Sequence, residues 1–235
     1  MIKRTWAITI LAGLMTLATA LWLGPQFPQD FATPSEGFRD PIMAFEFAEN
    51  HDDLVAIFGA VDNPARVERQ AAMDKGHDGD RYFLIIYSFF IVAFFLALYR
   101  ESGHRLFQGG ILLALVAGIA DIWENAVLRD LTYMLDDVGA ANALLIELHS
   151  ATWAKWFALA LGSGLASFAL YRNKHQILAL LALPGFLSAL PAFLDPKAYA
   201  TLFADLIGLW FIAMLITAIL NFRRASAEAA LKDSH

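Results

Sequence analysis

Long apolar stretches separated by short polar segments dominate the pattern of hydrophobic positions along the chain. A helix needs about 20 mostly apolar residues to cross the hydrocarbon core of a bilayer, which is about 30 Å thick. Six stretches reach or approach this length: residues 6–23, 82–99, 111–128, 151–171, 177–194 and 199–222. The pattern therefore predicts an all-α, polytopic membrane helix bundle with six transmembrane helices, built as a single integral membrane domain over residues 1–235.

The composition agrees with the bilayer as the main partner. Hydrophobic residues make up 58% of the chain, whereas soluble domains are usually about 45–50% apolar. The net charge of −6 argues against a nucleic-acid partner, because binding to phosphates needs a basic surface. The absence of cysteine excludes a disulfide framework and a thiolate metal site.

Charges between the spans predict the orientation. If the amino terminus lies inside, the inner segments carry nine basic and three acidic residues, a net charge of +6. The outer segments then carry seven basic and seventeen acidic residues, a net charge of −10. Because basic residues gather in short cytoplasmic segments, we expect both termini to be cytoplasmic.

The first span has an alternative interpretation as a signal peptide. Lys3 and Arg4 precede an apolar run that contains Ala18-Thr19-Ala20, a small-residue site suited to cleavage. The apolar run continues through Leu23, beyond that site, which favours an uncleaved anchor. Cleavage would leave five spans, with the carboxyl terminus still inside.

The outer segment 24–81, between the first two spans, is expected to form a cap over the bundle. Its first part is rich in proline, and apolar residues then recur at helical spacing around Phe45 and Leu54. One or two short amphipathic helices are predicted, lying on the membrane surface or across the end of the bundle. A docked cap without chemistry and a lid over a site are the two alternatives. The charged stretch 66–80 is expected to be a solvated lead-in to the second span.

Prolines and glycines predict local features of two spans. Pro184 and Pro191 remove backbone donors within the fifth span and should kink or break it. The Gly162-Ser163-Gly164 run in the fourth span allows close helix packing.

Polar residues inside the third span are the main indication of a site. Asp121, Glu124 and Asn125 are three and four positions apart, so their side chains share one helical face. Each carboxylate costs about 2.5–3.5 kcal/mol to insert at the centre of a membrane. These side chains must therefore face protein, water or a partner charge.

Residues of two other spans reach similar depths. Counting from the outer boundary at about 1.5 Å per residue places Asp121 and Asp205 about 12 Å deep, and Glu124 and Lys155 about 7–8 Å deep. We therefore predict an Asp121/Asp205 layer below a Glu124/Lys155 layer, in one polar cavity open to the outer side. Structural pairing that only fixes helix packing is the alternative, and Lys155 also lies shallow enough to snorkel.

Residues at the outer end of the fourth span add two candidates. His149 stands four positions before Trp153 and is either an acid or base at a cavity mouth or an interfacial residue. The histidines form no pair at ligand spacing, so a zinc site is not expected. No cofactor is predicted, although carboxylates would suit a divalent cation such as calcium or magnesium.

One combination of motifs resembles a known group of proteins. Phe45-Glu46-Phe47-Ala48, Asp80 with Phe83 and Tyr87, the Asp-Ile-Trp-Glu-Asn run at 121–125 and Lys155 together resemble a broad group of uncharacterised bacterial integral membrane proteins. The resemblance implies a location in the bacterial inner membrane and no particular activity. It adds Glu46, Asp80 and Tyr87 to the candidate binding residues.

Three classes of function fit these features. The first is binding or modification of a lipid or other hydrophobic small molecule, with Asp121 and Glu124 as acid and base and Lys155 and Asn125 orienting polar groups. The second is a proton- or cation-coupled carrier that uses the same acids. The third is an accessory or scaffold subunit whose buried pairs set packing. The candidate catalytic residues are Asp121, Glu124 and Lys155; the candidate binding residues are Asn125, Asp205, His149, Tyr87, Asp80, Glu46 and Trp153.

Overall fold

The computed structural model describes residues 2–34 and 37–233, with side chains up to residue 231, and this part of the chain contains helices and no strand. The helices are α1 (Ile2–Leu23), α2 (Pro41–Glu46), α3 (His51–Phe58), α4 (Arg66–Ser102), α5 (Leu106–Tyr133), α6 (Val138–Arg172), α7 (Gln176–Leu187), α8 (Ala189–Leu194) and α9 (Pro196–Asp233). Six helical segments are long and apolar enough to cross a membrane, with α7 and α8 together forming one of them. The predicted multi-pass helix bundle is therefore confirmed.

The long helices are arranged as a ring in chain order. α1 packs on α4, α4 on α5, α5 on α6 and α6 on α7, and α9 closes the ring by packing against both α7 and α1. Short connections between successive helices favour such antiparallel neighbours. At Gly103, which ends α4, the backbone adopts a left-handed φ of 70° that suits glycine. Residues that are far apart in sequence meet in the interior of this ring.

The two short helices between α1 and α4 form a docked cap. Phe45 of α2 and Ile57 and Phe58 of α3 are at most 1% exposed, and burying side chains of this size stabilises the fold by about 1.5–3 kcal/mol each. The ring of Phe47 lies 5.3 Å from that of Trp153 on α6. The predicted short helices therefore exist, and they cover one end of the bundle, which we call the cap end.

The prediction that residues 66–80 form a solvated segment before the second span is wrong. This stretch forms the first turns of α4, and it buries Arg66, Arg69 and His77. Arg66 Nη2 donates a hydrogen bond of 2.7 Å to Asp136 Oδ1, beyond the end of α5. These charged residues can be buried because the cap and the end of α5 supply their hydrogen-bond partners. The cap therefore ends before residue 66, sooner than the predicted 24–81.

The proline and glycine predictions are confirmed. The fifth span is divided at Ser188 into α7, which contains Pro184, and α8. The hydroxyl of Ser188 donates a hydrogen bond of 2.7 Å to the Pro184 carbonyl oxygen, which compensates for part of the interrupted helix ladder. A Cβ on Gly162 would lie 3.0 Å from the Trp210 ring, so α6 and α9 approach closely there.

Candidate functional site

Lys155 on α6 is the centre of a buried polar cluster at the cap end. Its ammonium bonds Glu124 of α5 and lies 3.0 Å from Glu46 Oε2 of the cap and 3.9 Å from Asp121 Oδ1 of α5. The Lys155 side chain is only 6% exposed, and that of Glu124 only 1%. Three elements thus contribute charges to one desolvated site, where each charge depends on its partners.

Glu46 is held in place by further groups of α6. Trp156 Nε1 donates to Glu46 Oε2 at 3.1 Å, and the Thr152 hydroxyl donates to the Glu46 main-chain oxygen at the same distance. Glu46 is the last residue of α2, so the helix ends where its side chain enters the bundle. The cap therefore supplies one of the cluster's carboxylates.

A second set of hydrogen bonds joins α4 to α5. The Tyr87 hydroxyl donates to Asp121 Oδ2 at 2.6 Å. Asn125 Nδ2 donates to Asp80 Oδ2 at 2.6 Å and to Asp121 Oδ1 at 3.3 Å. Asp121 and Asp80 therefore share the Asn125 amide, while Asp121 is also within ion-pair distance of Lys155.

His77 extends this network and was not among the predicted site residues. Its Nδ1 lies 3.1 Å from Asn125 Oδ1, and because Asn125 Nδ2 donates to carboxylates, its oxygen accepts from His77. The spacing of three positions between His77 and Asp80 is the sequence signal that would have placed both on one face of α4.

The cluster contains more acidic than basic groups. It has four carboxylates, on Glu46, Asp80, Asp121 and Glu124, and one ammonium, on Lys155. Glu124 Oε1 is buried and has no hydrogen-bond partner among the described residues. An isolated buried charge is costly, so this site favours a proton, a cation or a hydrogen-bond donor beside its acids.

A cavity of about 440 Å³ adjoins the cluster. Its polar floor is formed by Glu46, Asp80, Tyr87, Asp121 and Lys155. Its other walls are mostly apolar and come from α1, α2, α4, α6 and α9. Ligand pockets usually have volumes of about 300–1,000 Å³ and combine apolar walls with a few convergent polar groups, and this cavity has both properties.

The cavity opens between α1 and α9. The lining residues Leu17 of α1 and Leu209 and Ile212 of α9 are 37%, 39% and 40% exposed. Gly208 also lines this opening, and nothing lies within 4 Å of a Cβ built on it. Because both helices belong to the outer ring of spans, the opening faces the side of the bundle, where a bilayer would lie.

The position of Asp205 differs from the prediction. It lines the cavity, but its side chain is 52% exposed and pairs with Arg39 of the cap, at 3.1 and 3.2 Å, rather than joining Asp121 in a buried layer. The depth of a residue along a helix does not determine the direction in which its side chain projects. The hydrogen bonds to Asp205 hold the pKa of the Arg39 guanidinium above its ordinary value. Arg39 and Asp205 thus form a charged rim at the mouth.

Four other predicted residues do not line the cavity. Glu124 and Asn125 lie behind its floor and contact the residues that form it. His149 is exposed and its ring lies 6.4 Å from those of Trp153 and Phe193. Trp153 is buried between the cap and Phe193. The structure therefore brings Glu46, Asp80, Asp121 and Glu124 together with Lys155. It pairs Asp205 with Arg39 at the mouth and places His149 and Trp153 elsewhere.

The described residues contain no group of three His, Cys, Asp or Glu side chains arranged to hold a metal ion. The acids of the cluster are instead bonded to Lys155, Tyr87, Asn125 and Trp156. A divalent cation held by carboxylates stays a prediction of the sequence.

The fold and the site define a multi-pass membrane helix bundle with an acidic cavity under a docked cap. No protein-family model, curated protein or solved structure matches the chain.

Proposed function

We propose that this membrane protein binds or modifies a lipid or another hydrophobic small molecule in the acidic cavity. The observation that carries the proposal is the combination of a buried polar floor with an apolar opening between α1 and α9. An amphiphile has the same two parts, and it would reach the opening from the bilayer without crossing water. A packing role alone would not require about 440 Å³ of space beside the charged residues.

The residues have different roles in this proposal. Asp121, Asp80 and Glu46 line the cavity and would contact the polar part of the ligand. If the ligand is modified, Asp121 is the group placed to move a proton, because it lines the cavity and shares a short hydrogen bond with Tyr87. Glu124 would act through Lys155, which it holds in position.

The proposal includes a location and an orientation. We propose the bacterial inner membrane, with both termini cytoplasmic and the cap on the outer side, as the charge bias of the segments between the spans favours. The cavity would then take its ligand from the outer leaflet, because Leu17 lies only about 9 Å below the cap end of α1 at 1.5 Å per residue.

Native mass spectrometry of the purified protein tests the proposal. The wild type is compared with Asp121→Asn/Glu124→Gln, in which the polar floor loses charge with little change in shape. We expect a lipid-sized adduct on the wild type and a loss of at least about tenfold in its occupancy on the variant. A ligand-free mass for both, with a co-purifying protein instead, would favour the scaffold class.

A second variant tests the entrance without touching the cluster. Gly208→Leu places a side chain in the mouth, where a Cβ meets no atom within 4 Å, so it should block entry without a clash. Gly109→Leu is the matched control, because Gly109 is also helical, exposed and free of neighbours within 4 Å. Loss of the adduct in the first variant only would support lateral entry, and equal retention in both would contradict it.

A further inference from the structure

We infer that the ligand of this cavity carries a cationic ammonium head group on an apolar chain. This inference rests on the proposed function and names its ligand class. Three features of the cavity support it: the charges of the lining, its aromatic side chains and the apolar part of the mouth.

The charged residues that line the cavity are mostly acidic. They are Glu46, Asp80, Asp121 and Asp205, with Lys155 as the single base, and Asp205 is already paired with Arg39 of the cap. Lys155 is shared among Glu46, Glu124 and Asp121, so it cannot neutralise them all. A ligand cation would supply the missing charge, whereas a phosphate or carboxylate head group would add repulsion in a site of low dielectric.

Aromatic side chains complete the surroundings of the proposed cation. Phe83, Tyr87, Trp156 and Phe211 line the cavity, and the ring of Tyr87 lies 5.3 Å from that of Phe83 and 6.0 Å from that of Phe211. Aromatic faces attract ammonium groups, and recognition of quaternary ammonium by several rings is a common use of this interaction. Lys155 already shows this contact, because its Nζ lies 5.1 Å from the centre of the Trp156 ring.

The mouth determines the remainder of the ligand. Leu17, Leu209 and Ile212 continue the cavity to the outer face of α1 and α9. Leu209 and Ile212 lie about one and two turns along α9 from Asp205, whose pair with Arg39 forms the charged rim. An acyl or alkyl chain would pass between the helices into the bilayer, while the head group stays on the acidic floor. A free polar amine would leave this apolar passage unfilled.

Three probes with the same dodecyl chain test the head-group preference of the wild type: dodecylammonium, dodecanol and dodecyl phosphate. Binding is measured by native mass spectrometry and by the shift of the thermal unfolding midpoint, in a neutral maltoside detergent. We expect dodecylammonium to bind at least about tenfold more tightly than dodecanol, and dodecyl phosphate to bind more weakly than dodecanol.

Variants separate the cavity from general attraction by a protein of net charge −6. Asp80→Asn should reduce the preference for dodecylammonium to about threefold or less, and Gly208→Leu should abolish binding of all three probes. Glu68→Gln, at an exposed position of the same helix as Asp80, is the matched control and should retain the preference. A preference that persists in Gly208→Leu would show surface attraction and overturn the inference.

The outcomes for the wild type distinguish the two proposals even if Asp80→Asn does not fold. Equal binding of the three probes would overturn the ammonium preference and leave the amphiphile site standing. Tighter binding of dodecyl phosphate would do the same and would point to Lys155 and Arg39 as the recognition groups. Failure of all three probes to bind would overturn both proposals.

Discussion

Lys155, inside the bundle, and Glu46, at the end of a cap helix, are joined by a hydrogen bond of 3.0 Å across 109 positions of the chain. The same carboxylate oxygen accepts from Trp156. Glu46 therefore links the cap to the polar cluster, because this cap residue also forms part of the cavity floor.

Glu46→Ala should loosen the cap. The variant removes the charge-assisted hydrogen bonds that the Glu46 carboxylate accepts from Lys155 and Trp156, and bonds to charged groups contribute about 1.5–3 kcal/mol each. We expect amide hydrogen exchange in α2 and α3 to accelerate by about ten- to hundredfold, since each 1.4 kcal/mol is a factor of ten. Glu49→Ala, at an exposed position three residues later, is the control. Equal exchange in the two variants would show that apolar contacts alone dock the cap.

Lys155→Met should lower the free energy of unfolding by about 3–5 kcal/mol, because it leaves buried carboxylates without their cation. The measurement is reversible unfolding in mixed detergent micelles. Lys197→Met is the comparison, since Lys197 pairs with Asp53 at 3.0 Å with its side chain 47% exposed, and exposed pairs contribute about 0–1 kcal/mol. A loss below about 1 kcal/mol for Lys155→Met would mean that the carboxylates are neutralised by another route.

The sequence predicts the parts of this structure that depend on local pattern. Apolar length identifies the spans, helical spacing identifies the cap helices, and Pro184 identifies the divided span. The face shared by Asp121 and Glu124 also follows from spacing alone. These features need no knowledge of which helices are neighbours.

The partners of the site residues depend on packing and were therefore less predictable. Asp205 has the depth of Asp121 by counting, yet it turns towards Arg39, because rotation of α9 about its axis decides the direction of the side chain. His77 belongs to the stretch that the sequence predicts to be solvated. It is buried in the structure because Phe27 and Phe45 from the cap cover it, with their rings 5.6 and 6.1 Å away.

Tyr87→Phe tests the hydrogen bond within the floor of the cavity. The variant keeps the ring and removes the donor to Asp121 Oδ2, so we expect a loss of about 1–3 kcal/mol in the free energy of unfolding. Tyr82→Phe, on the same helix and 58% exposed, should change it by less than about 0.5 kcal/mol. If the two variants have the same free energy of unfolding, the Tyr87 hydroxyl is not needed to hold Asp121.

A double-mutant cycle tests whether Asp121 and Lys155 act together. Their charged atoms are 3.9 Å apart, and residues in one polar network usually show coupling of about 0.5–3 kcal/mol. The cycle compares Asp121→Asn, Lys155→Met and the double variant by their free energies of unfolding. We expect the double variant to be more stable than the sum of the single losses predicts, because removing both charges leaves fewer uncompensated groups.

The rim pair of Arg39 and Asp205 is the comparison for this cycle. Both side chains are more than half exposed, so their coupling should stay below about 1 kcal/mol and fall as salt is added. The coupling of Asp121 and Lys155 should persist in salt, because ions screen buried charges much less. Zero coupling for the buried pair would mean that Glu46 and Glu124 alone determine the position of Lys155. Asp121 would then be available to a ligand without competition from the lysine.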